Sequence, residues 1–331
     1  MENIRWGVIG CGWIAKKFAK SLAALPVGEL YAGASRSDGK AEAYVKEFGG
    51  TAAYTDYESL VQDANVDAVY VATTHNFHYE NVKLCLEHGK HVLCEKPITL
   101  NAPEAKALFD LAKAKNVFIM EAMWTRFLPA IGKLQALLAE GVIGDVRSVR
   151  ADFCVGGNEF PADGRMRNKD LAGGALLDLG VYPLTFADIV FDAVPESIKG
   201  DAFIGDTDVD DRSYYQLTYP GGRFAQLCSS FTTCAPIFAM VMGSKGYINV
   251  PFFLHARELE ICRHGEKPEK LEFWFEDDEG FKFEIEHAME CILAGKTESE
   301  VHPPSRTLKI MEIMDTLRGQ WNLAYPGESF K

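Results

Sequence analysis

The sequence has no long uninterrupted apolar run, no C-x-x-C pair, no internal repeat, no flexible Pro/Gly/Ser linker and a shortage of positive charge. Each absence removes a class of protein. Without about 18 consecutive apolar residues, no membrane-spanning helix is expected. Met1-Glu2-Asn3 runs straight into Ile4-Arg5-Trp6-Gly7-Val8-Ile9 with no basic stretch ahead of a long apolar segment, so no secretory signal is expected. The eight cysteines, at 11, 85, 94, 154, 228, 234, 262 and 291, have neither the spacing of zinc ligands nor a small chain to staple. They are expected to be reduced, mostly buried thiols in a cytoplasmic protein. No metal is expected; His75-Asn76-Phe77-His78 has the look of half a metal site, but no second half lies nearby in sequence. With Lys+Arg at 34 against Asp+Glu at 47, the net charge is −13. That balance argues against a broad grip on nucleic acid or an anionic membrane surface, and leaves room for a small anion in one basic pocket.

What is present is an ordinary globular composition, 47% hydrophobic and 24% charged over 331 residues. At roughly 150 residues per domain, the length suggests two domains. In the first third, short apolar runs alternate with helical segments. Ile4–Ile9, Leu30–Ala34, Ala68–Ala72, His91–Cys94 and Phe118–Glu121 are predicted strands. Ala15–Leu25, Lys40–Phe48, a short helix capped by Asp56, Phe77–His88 and Ala102–Lys115 capped by Asn101 are predicted helices. This alternation implies βαβ units and a parallel sheet covered on both faces. After about Trp124 the pattern changes. Val146–Val155, Ser197–Ile204, Ser213–Tyr219, Arg223–Phe231, Ile237–Met242, Tyr247–Val250, Glu258–Cys262 and Leu271–Phe275 are strand-like and mostly lack intervening helices. Pro220-Gly221-Gly222 and Gly243-Ser244-Lys245-Gly246 are turn signals. A helix over Gly174–Val190 interrupts the run, and another over Arg306–Leu317 closes it. The expected fold is α/β: a dinucleotide-binding domain over 1–123, then an α+β domain over 124–331 with a large, mainly antiparallel open sheet.

Three motifs carry chemistry. Gly10-Cys11-Gly12-Trp13-Ile14-Ala15 follows a strand and opens a helix, the context of a Rossmann fingerprint. There Gly10 permits the turn, Gly12 lets backbone approach a pyrophosphate, and Ala15 lets helix and strand pack closely. The second strand ends in Ser35-Arg36-Ser37, where NAD-specific sites place an acid on the ribose. Arg36 suits a 2′-phosphate instead, Ser35 or Ser37 can donate to it and Lys40 adds charge, with Asp38 as the dissenting neighbour. NADP(H) is therefore expected over NAD. Thr73-Thr74-His75-Asn76-Phe77-His78 and Cys94-Glu95-Lys96-Pro97 both follow predicted parallel strands, where open α/β sheets bind ligands. The Glu95–Pro97 corner is a candidate for a cis peptide bond.

These residues carry a resemblance. Val66–Leu100, with its Glu95-Lys96-Pro97, resembles the strand–helix–strand unit of the glucose-fructose oxidoreductase / inositol dehydrogenase (Gfo/Idh/MocA) family. Glu121-Ala122-Met123-Trp124-Thr125-Arg126-Phe127, the Ala172–Leu184 segment and the Ser305–Tyr325 tail are similar to the branch of dimeric dihydrodiol dehydrogenases and NADP-dependent D-xylose dehydrogenases. The resemblance implies that Lys96 lies beside the nicotinamide and the reacting oxygen. It implies that Asp178 and Tyr182, four residues apart on a helical turn interrupted by Pro183, complete the catalytic set. A free tyrosine has a pKa near about 10, and a nearby ammonium favours its phenolate, so Tyr182 is expected to be the general acid/base tuned by Lys96. Lys96 relaying the proton itself is the alternative. Arg165 matches an arginine near the nicotinamide. His75 and His78 match histidines at the pocket edge, and Trp124 and Phe153 match aromatic positions lining the substrate cavity; the expected substrate contacts are His75, Trp124, Phe153, Asp178 and Tyr182. The expected cofactor contacts are Gly10, Gly12, Trp13, Ile14, Ser35, Arg36, Lys40, Thr73, Thr74, Asn76, His78, Glu95, Lys96, Trp124, Arg126 and Arg165.

The function implied is hydride transfer between NADP(H) and a sugar or cyclic diol, such as an aldose or a trans-dihydrodiol. Reduction of a 1,5-anhydrofructose-type ketosugar is the enzymatic alternative. An NADP-sensing regulatory protein without turnover is the alternative of another class, because fold does not fix function. A homodimer through the open second sheet is also expected.

Overall fold

Residues 3–157, 160–276 and 280–328 are described in a computed structural model. Two compact units account for the chain. In the first, β1 (Arg5–Ile9), α1 (Trp13–Ala23), β2 (Glu29–Ala34), α2 (Lys40–Phe48), β3 (Ala52–Tyr54), α3 (Tyr57–Gln62), β4 (Ala68–Val71), α4 (His78–Glu87), β5 (His91–Glu95), α5 (Ala102–Lys115) and β6 (Ile119–Ala122) follow in order. The strands form one parallel sheet in the order β3-β2-β1-β4-β5-β6, which reverses direction between β1 and β4. All four residues of β4 are fully buried, as a strand covered on both faces requires. Phe18 of α1 stacks on Tyr70 of β4, with ring centroids 4.0 Å apart. The predicted caps are in place: Asp56 Oδ1 accepts from Ser59 N–H at 2.7 Å, and Asn101 Oδ1 from Glu104 N–H at 3.0 Å.

In the second unit, α6 (Pro129–Ala139) precedes β7 (Val146–Cys154). After α7 (Val181–Phe191) come β8 (Ser197–Ile204), β9 (Asp210–Tyr219), β10 (Arg223–Ser230), β11 (Phe238–Gly243), β12 (Gly246–Pro251), β13 (Glu258–Arg263) and β14 (Glu269–Glu272). They form an eight-stranded sheet, β14-β13-β12-β11-β7-β10-β9-β8, antiparallel except for the β7/β10 pair. Register makes its two faces unlike. Leu217, Ala225, Val149, Val241, Ile248 and Ile261 lie side by side across six strands and are all fully buried. One residue earlier or later, the opposite face carries Gln216, Gln226, Arg150, Met240, Asn249 and Glu260. Tyr214, Phe224 and Tyr247 are exposed on that second face. Gly221 and Gly222 turn the β9/β10 hairpin with φ of 78° and 69°.

Three expectations are corrected. The helix predicted over 174–190 is two pieces, a π-helical turn over Leu176–Gly180 followed by α7. Pro183 has no N–H to give back to Leu179, and the turn ahead of it widens. The last strand lies at Glu269–Glu272 rather than 271–275, fixed by pairing of its Glu272 with Glu258 of β13. Finally, the simple division at 123/124 gives way to a discontinuous one. The first unit runs to Trp124 and also takes in Phe275–Leu308. That segment holds α8 (Lys282–Leu293) and the start of α9 (Pro304–Trp321). Thr297 C=O accepts from Ile119 N–H at 3.2 Å, and Met289 lies against Gly28.

The stretch Lys169–Phe191 is long and apolar enough, by length and composition, to cross a membrane, although no uninterrupted apolar run marks it in sequence. Its apolar window is 94% buried within the protein, as for a core helix. All eight cysteines are free thiols, seven of them buried and Cys234 exposed.

Candidate active site

β1 ends at Ile9, and the chain must turn at once to enter α1. Gly10 makes that turn at φ 91°; a Cβ there would lie 2.8 Å from Ala72 O and 2.9 Å from Thr73 N. Gly12 is the N-cap of α1, with extended backbone and no side-chain cap. A Cβ built on Gly12 meets nothing within 4 Å, so open space lies over the helix N-terminus. Backbone N–H groups and the positive end of the helix dipole face that space, which fits a pyrophosphate. Ala15 is fully buried, and its carbonyl accepts the Tyr44 hydroxyl at 2.8 Å. Cys11 points back to Ala34 O at 3.5 Å, and burial pushes its thiol up to about 12. It is an inert packing residue. At the end of β2, Ser35 Oγ accepts from Ser37 N–H at 3.2 Å. The exposed Arg36 guanidinium lies over the rings of Tyr57 and Phe77, at 5.3 and 4.9 Å. Such stacking steadies the planar group while leaving its N–H edge for a phosphate. Lys40 opens α2 nearby in sequence.

The second feature of this unit is the turn that carries Lys96. The Lys96–Pro97 bond is cis, as the corner suggested. Lys96 itself is half-buried, and its neighbours in the turn are held one by one. The buried Glu95 carboxylate accepts the Tyr70 hydroxyl. His78 places Nδ1 2.8 Å from Pro97 O and Nε2 3.0 Å from Thr73 O. Burial pushes the His78 imidazole below its ordinary pKa, against the pull of those two carbonyls. Glu121 Oε1 accepts from Ile98 N–H at 3.1 Å, while Oε2 accepts the Thr307 hydroxyl at 2.9 Å and lies 3.1 Å from His302 Nε2. Burial acts to raise the Glu121 pKa, but His302, Thr307 and Ile98 outweigh it and hold the carboxyl below the usual range. Glu284 on α8 has the opposite fate. Among the described residues, neither of its carboxyl oxygens has a hydrogen-bond partner, and burial, with Glu95 and Glu121 nearby, raises its pKa well above the ordinary value.

In the second unit, the π-helical turn carries Asp178, and α7 begins with Val181-Tyr182. Arg165 Nη1 donates to Asp178 Oδ1 at 3.1 Å; the carboxylate is buried and the arginine half-exposed. Tyr182 is buried, and Phe153 of β7 meets its ring edge-on at 5.6 Å. A carboxylate steadied by an arginine and a phenol four residues on offer an acceptor and a proton donor on neighbouring backbone.

The sequence matches the family description "Oxidoreductase family, NAD-binding Rossmann fold" over residues 4–123, and "GFO/IDH/MocA C-terminal domain" over residues 131–249. The chain belongs to the Gfo/Idh/MocA oxidoreductase family. It is 36% identical over 332 residues to trans-1,2-dihydrobenzene-1,2-diol dehydrogenase of Mus musculus, covering 98% of this chain and 98% of that one. The Homo sapiens protein of the same name is 34% identical over 331 residues, again 98% of each. Among solved structures, a 3-ketoreductase from Actinomadura kijaniata in complex with NADP and TDP-benzene gives a TM-score of 0.85 at 30% identity, covering 96% of this chain and 97% of that one. An aldose-aldose oxidoreductase from Caulobacter crescentus shares the fold, with a TM-score of 0.86 at 23% identity over 95% and 96% of the two chains.

For this Gfo/Idh/MocA member, the structure sorts the expected residues. Gly10, Gly12, Trp13 and Ile14 sit at the α1 N-terminus, with Trp13 largely exposed and Lys17 5.8 Å from its ring. Thr73, Thr74, His75 and Asn76 follow β4; Asn81 donates to Thr73 Oγ1, and Thr74 Oγ1 to Asn76 Oδ1. Three expected cofactor contacts have partners within the protein. Arg126 is buried in an ion pair with Asp188 at 2.7 Å, shared by Lys309 at 2.6 Å, because a buried guanidinium needs a countercharge. Glu95 faces Tyr70, and both ring nitrogens of His78 face backbone carbonyls. Trp124 is buried and stacked on Phe281 at 4.8 Å. Arg165 is brought to Asp178. Sequence reasoning did not find Glu121, Glu284 or Asp210, since an acid carries no local signal of burial. Nor did it find Tyr57 and Phe77 as the bed of Arg36.

Proposed function

We propose that the protein is an NADP(H)-dependent oxidoreductase that moves hydride between nicotinamide and a carbonyl or hydroxyl carbon of a sugar or cyclic diol. The observation that carries this reading is the polar set of the second unit: Asp178 held by Arg165, and Tyr182 four residues on with Phe153 against its ring. Binding a dinucleotide without turnover has no use for such a set. Gly10, Gly12 and the α1 N-terminus would hold the pyrophosphate, and Arg36 with Lys40 the 2′-phosphate. When bound, NADP(H) supplies or accepts the hydride. A carbonyl that gains hydride at carbon needs a proton at oxygen, and that proton is assigned to Tyr182. Asp178 orients a substrate hydroxyl as an acceptor. Lys96 contributes the positive charge that favours developing negative charge on oxygen. The relatives named for a cyclic diol and the NADP-complexed 3-ketoreductase support the substrate class and the cofactor.

The test is an absorbance assay of NADP+ and NAD+ reduction with aldoses and trans-dihydrodiols, and of NADPH and NADH oxidation with 2-ketosugars. Turnover with one class, a lower KM for the phosphorylated cofactor than for the unphosphorylated one, and a kcat lowered by about 10²-fold or more in Tyr182→Phe are expected. Tight NADP binding with no turnover of any substrate would replace the enzyme by a sensor. The reading includes a homodimer through the open sheet face, where Tyr214, Phe224 and Tyr247 are exposed. A monomer by sedimentation velocity at micromolar concentration would remove that part.

A further inference from the structure

The π-helical turn that leads to Tyr182 is held from below by a side chain that the reaction itself does not require. We infer that Asp210 is the positioning residue for the Asp178–Tyr182 segment, its carboxyl group fixing where the turn starts and so where both side chains are presented. The inference rests on the reading that these two residues act on the substrate.

Asp210 opens β9 and is fully buried. Its Oδ2 accepts the N–H of Leu176, the first residue of the turn, at 2.7 Å, and the Ser213 hydroxyl at 3.3 Å. Among the described residues, its Oδ1 has no hydrogen-bond partner. That oxygen is pressed against Gly174, where a Cβ would overlap it and lie 3.0 Å from the Tyr325 hydroxyl. Gly174 also has φ 132°, so glycine is required there twice over. This supplies a reason for the paired glycines ahead of Asp178: the second lets the carboxyl group of Asp210 come up under the turn. Tyr325 donates to Gly173 O at 2.7 Å on the entering side. At the far end, Tyr215 donates to Gly180 O at 3.3 Å. The turn is thus fastened at its first residue and at its last.

Of these fasteners, Asp210 is the one whose charge changes near neutrality. Burial pushes its carboxyl up to about 7, with Asp211 adding to the rise and the Leu176 N–H and Ser213 hydroxyl opposing it. The groups around it are Asp211, itself paired with Arg167 at 3.3 Å, the buried Tyr325 and Tyr215, and Ser213. Asp178 lies two residues beyond Leu176 on the turn, with Arg165 paired to it from outside the turn. Ionising Asp210 places an unpaired negative oxygen at Oδ1 and strengthens the pull on Leu176, so the seat of the turn changes with pH.

The test compares Asp210→Ala and Asp210→Asn by hydrogen exchange of the peptide spanning Leu176–Tyr182 and by steady-state kinetics. In Asp210→Ala, that peptide should exchange at least about tenfold faster than in the wild type, other β9 peptides being unchanged. Its kcat should fall about 10- to 100-fold, with the KM for NADPH within about twofold, as a misplaced but intact catalytic pair implies. Asp210→Asn keeps an acceptor for Leu176. It should recover most of the lost rate at pH 6 and lose the wild-type change in kcat and in peptide protection between pH 6 and 8. Wild-type exchange in Asp210→Ala, or an unchanged pH response in Asp210→Asn, would overturn the inference. If Asp210→Ala does not fold, the pH response of Asp210→Asn decides. If no substrate is turned over, the functional reading falls while the exchange measurements still decide the role of Asp210.

Discussion

Glu121 and Asp210 are both buried carboxyl groups beneath a backbone turn, one in each unit, and burial treats them in opposite ways. Glu121 receives the Ile98 N–H and the Thr307 hydroxyl and faces His302, and its carboxyl is held below the ordinary range. Asp210 receives two donors on one oxygen and none on the other, and is pushed up to about 7. Both are 2% exposed or less, so depth does not separate them. The number and charge of the donors do. The lesson extends to Glu284, equally buried and without hydrogen-bond partners among the described residues, whose pKa burial also raises. Under the Lys96 turn the protein keeps a charge; under the Asp178 turn it keeps a proton within reach of neutral pH.

The comparison can be broken most directly at Glu121. Glu121→Ala removes the countercharge of a buried set and is expected to cost about 3 kcal/mol at pH 7 by urea unfolding. The folded pKa is depressed, so this stabilisation is present above the unfolded carboxyl pKa and is lost as pH falls through the folded value. The gap between variant and wild type should therefore shrink in acid. A gap that stays constant from pH 7 to pH 4 would show that packing, not charge, holds the turn. Asp210→Asn should move the other way. Its folded pKa is raised, so the wild type has the full contribution below about pH 4 and loses it as pH rises through about 7. The amide variant should gain on the wild type by about 2 to 3 kcal/mol between pH 5 and 8, read as a rising difference in Tm. No change in that difference would mean that Asp210 is already ionised. The smallest effect belongs to Glu284→Gln, which replaces an acid whose charged form burial disfavours by an amide of the same shape and should stay within about 1 kcal/mol of wild type at pH 7. A loss as large as that of Glu121→Ala would place Glu284 with the charged group.

How much of this was visible in the sequence depends on how local the cause is. Lys40–Phe48, Ala102–Lys115 and Ser197–Ile204 have the bounds the residues suggested, because caps and periodicity lie within the segment itself. The Gly10–Gly12 turn and the place of Arg36 at the end of β2 were legible for the same reason. β3, three residues on the sheet edge, and α6 and α8 went unseen. Side-chain direction was the least accessible. Arg126, Glu95 and His78 look like ligand-facing polar residues in one dimension. Asp188, Tyr70 and the Pro97 carbonyl, up to 62 residues away, claim them in three. The paired glycines before Asp178 could be matched but not explained until Asp210, 36 residues on, was seen against Gly174.

The return of Phe275–Leu308 to the first unit has a consequence for how the chain is made. Glu121 cannot meet His302 and Thr307, nor Gly28 meet Met289, until those later residues have left the ribosome. At bacterial or eukaryotic elongation rates, the wait after residue 124 is on the order of ten to forty seconds. During it, all eight strands of the second sheet emerge. The sheet that begins later in the chain is thus complete before the dinucleotide-binding unit that begins first.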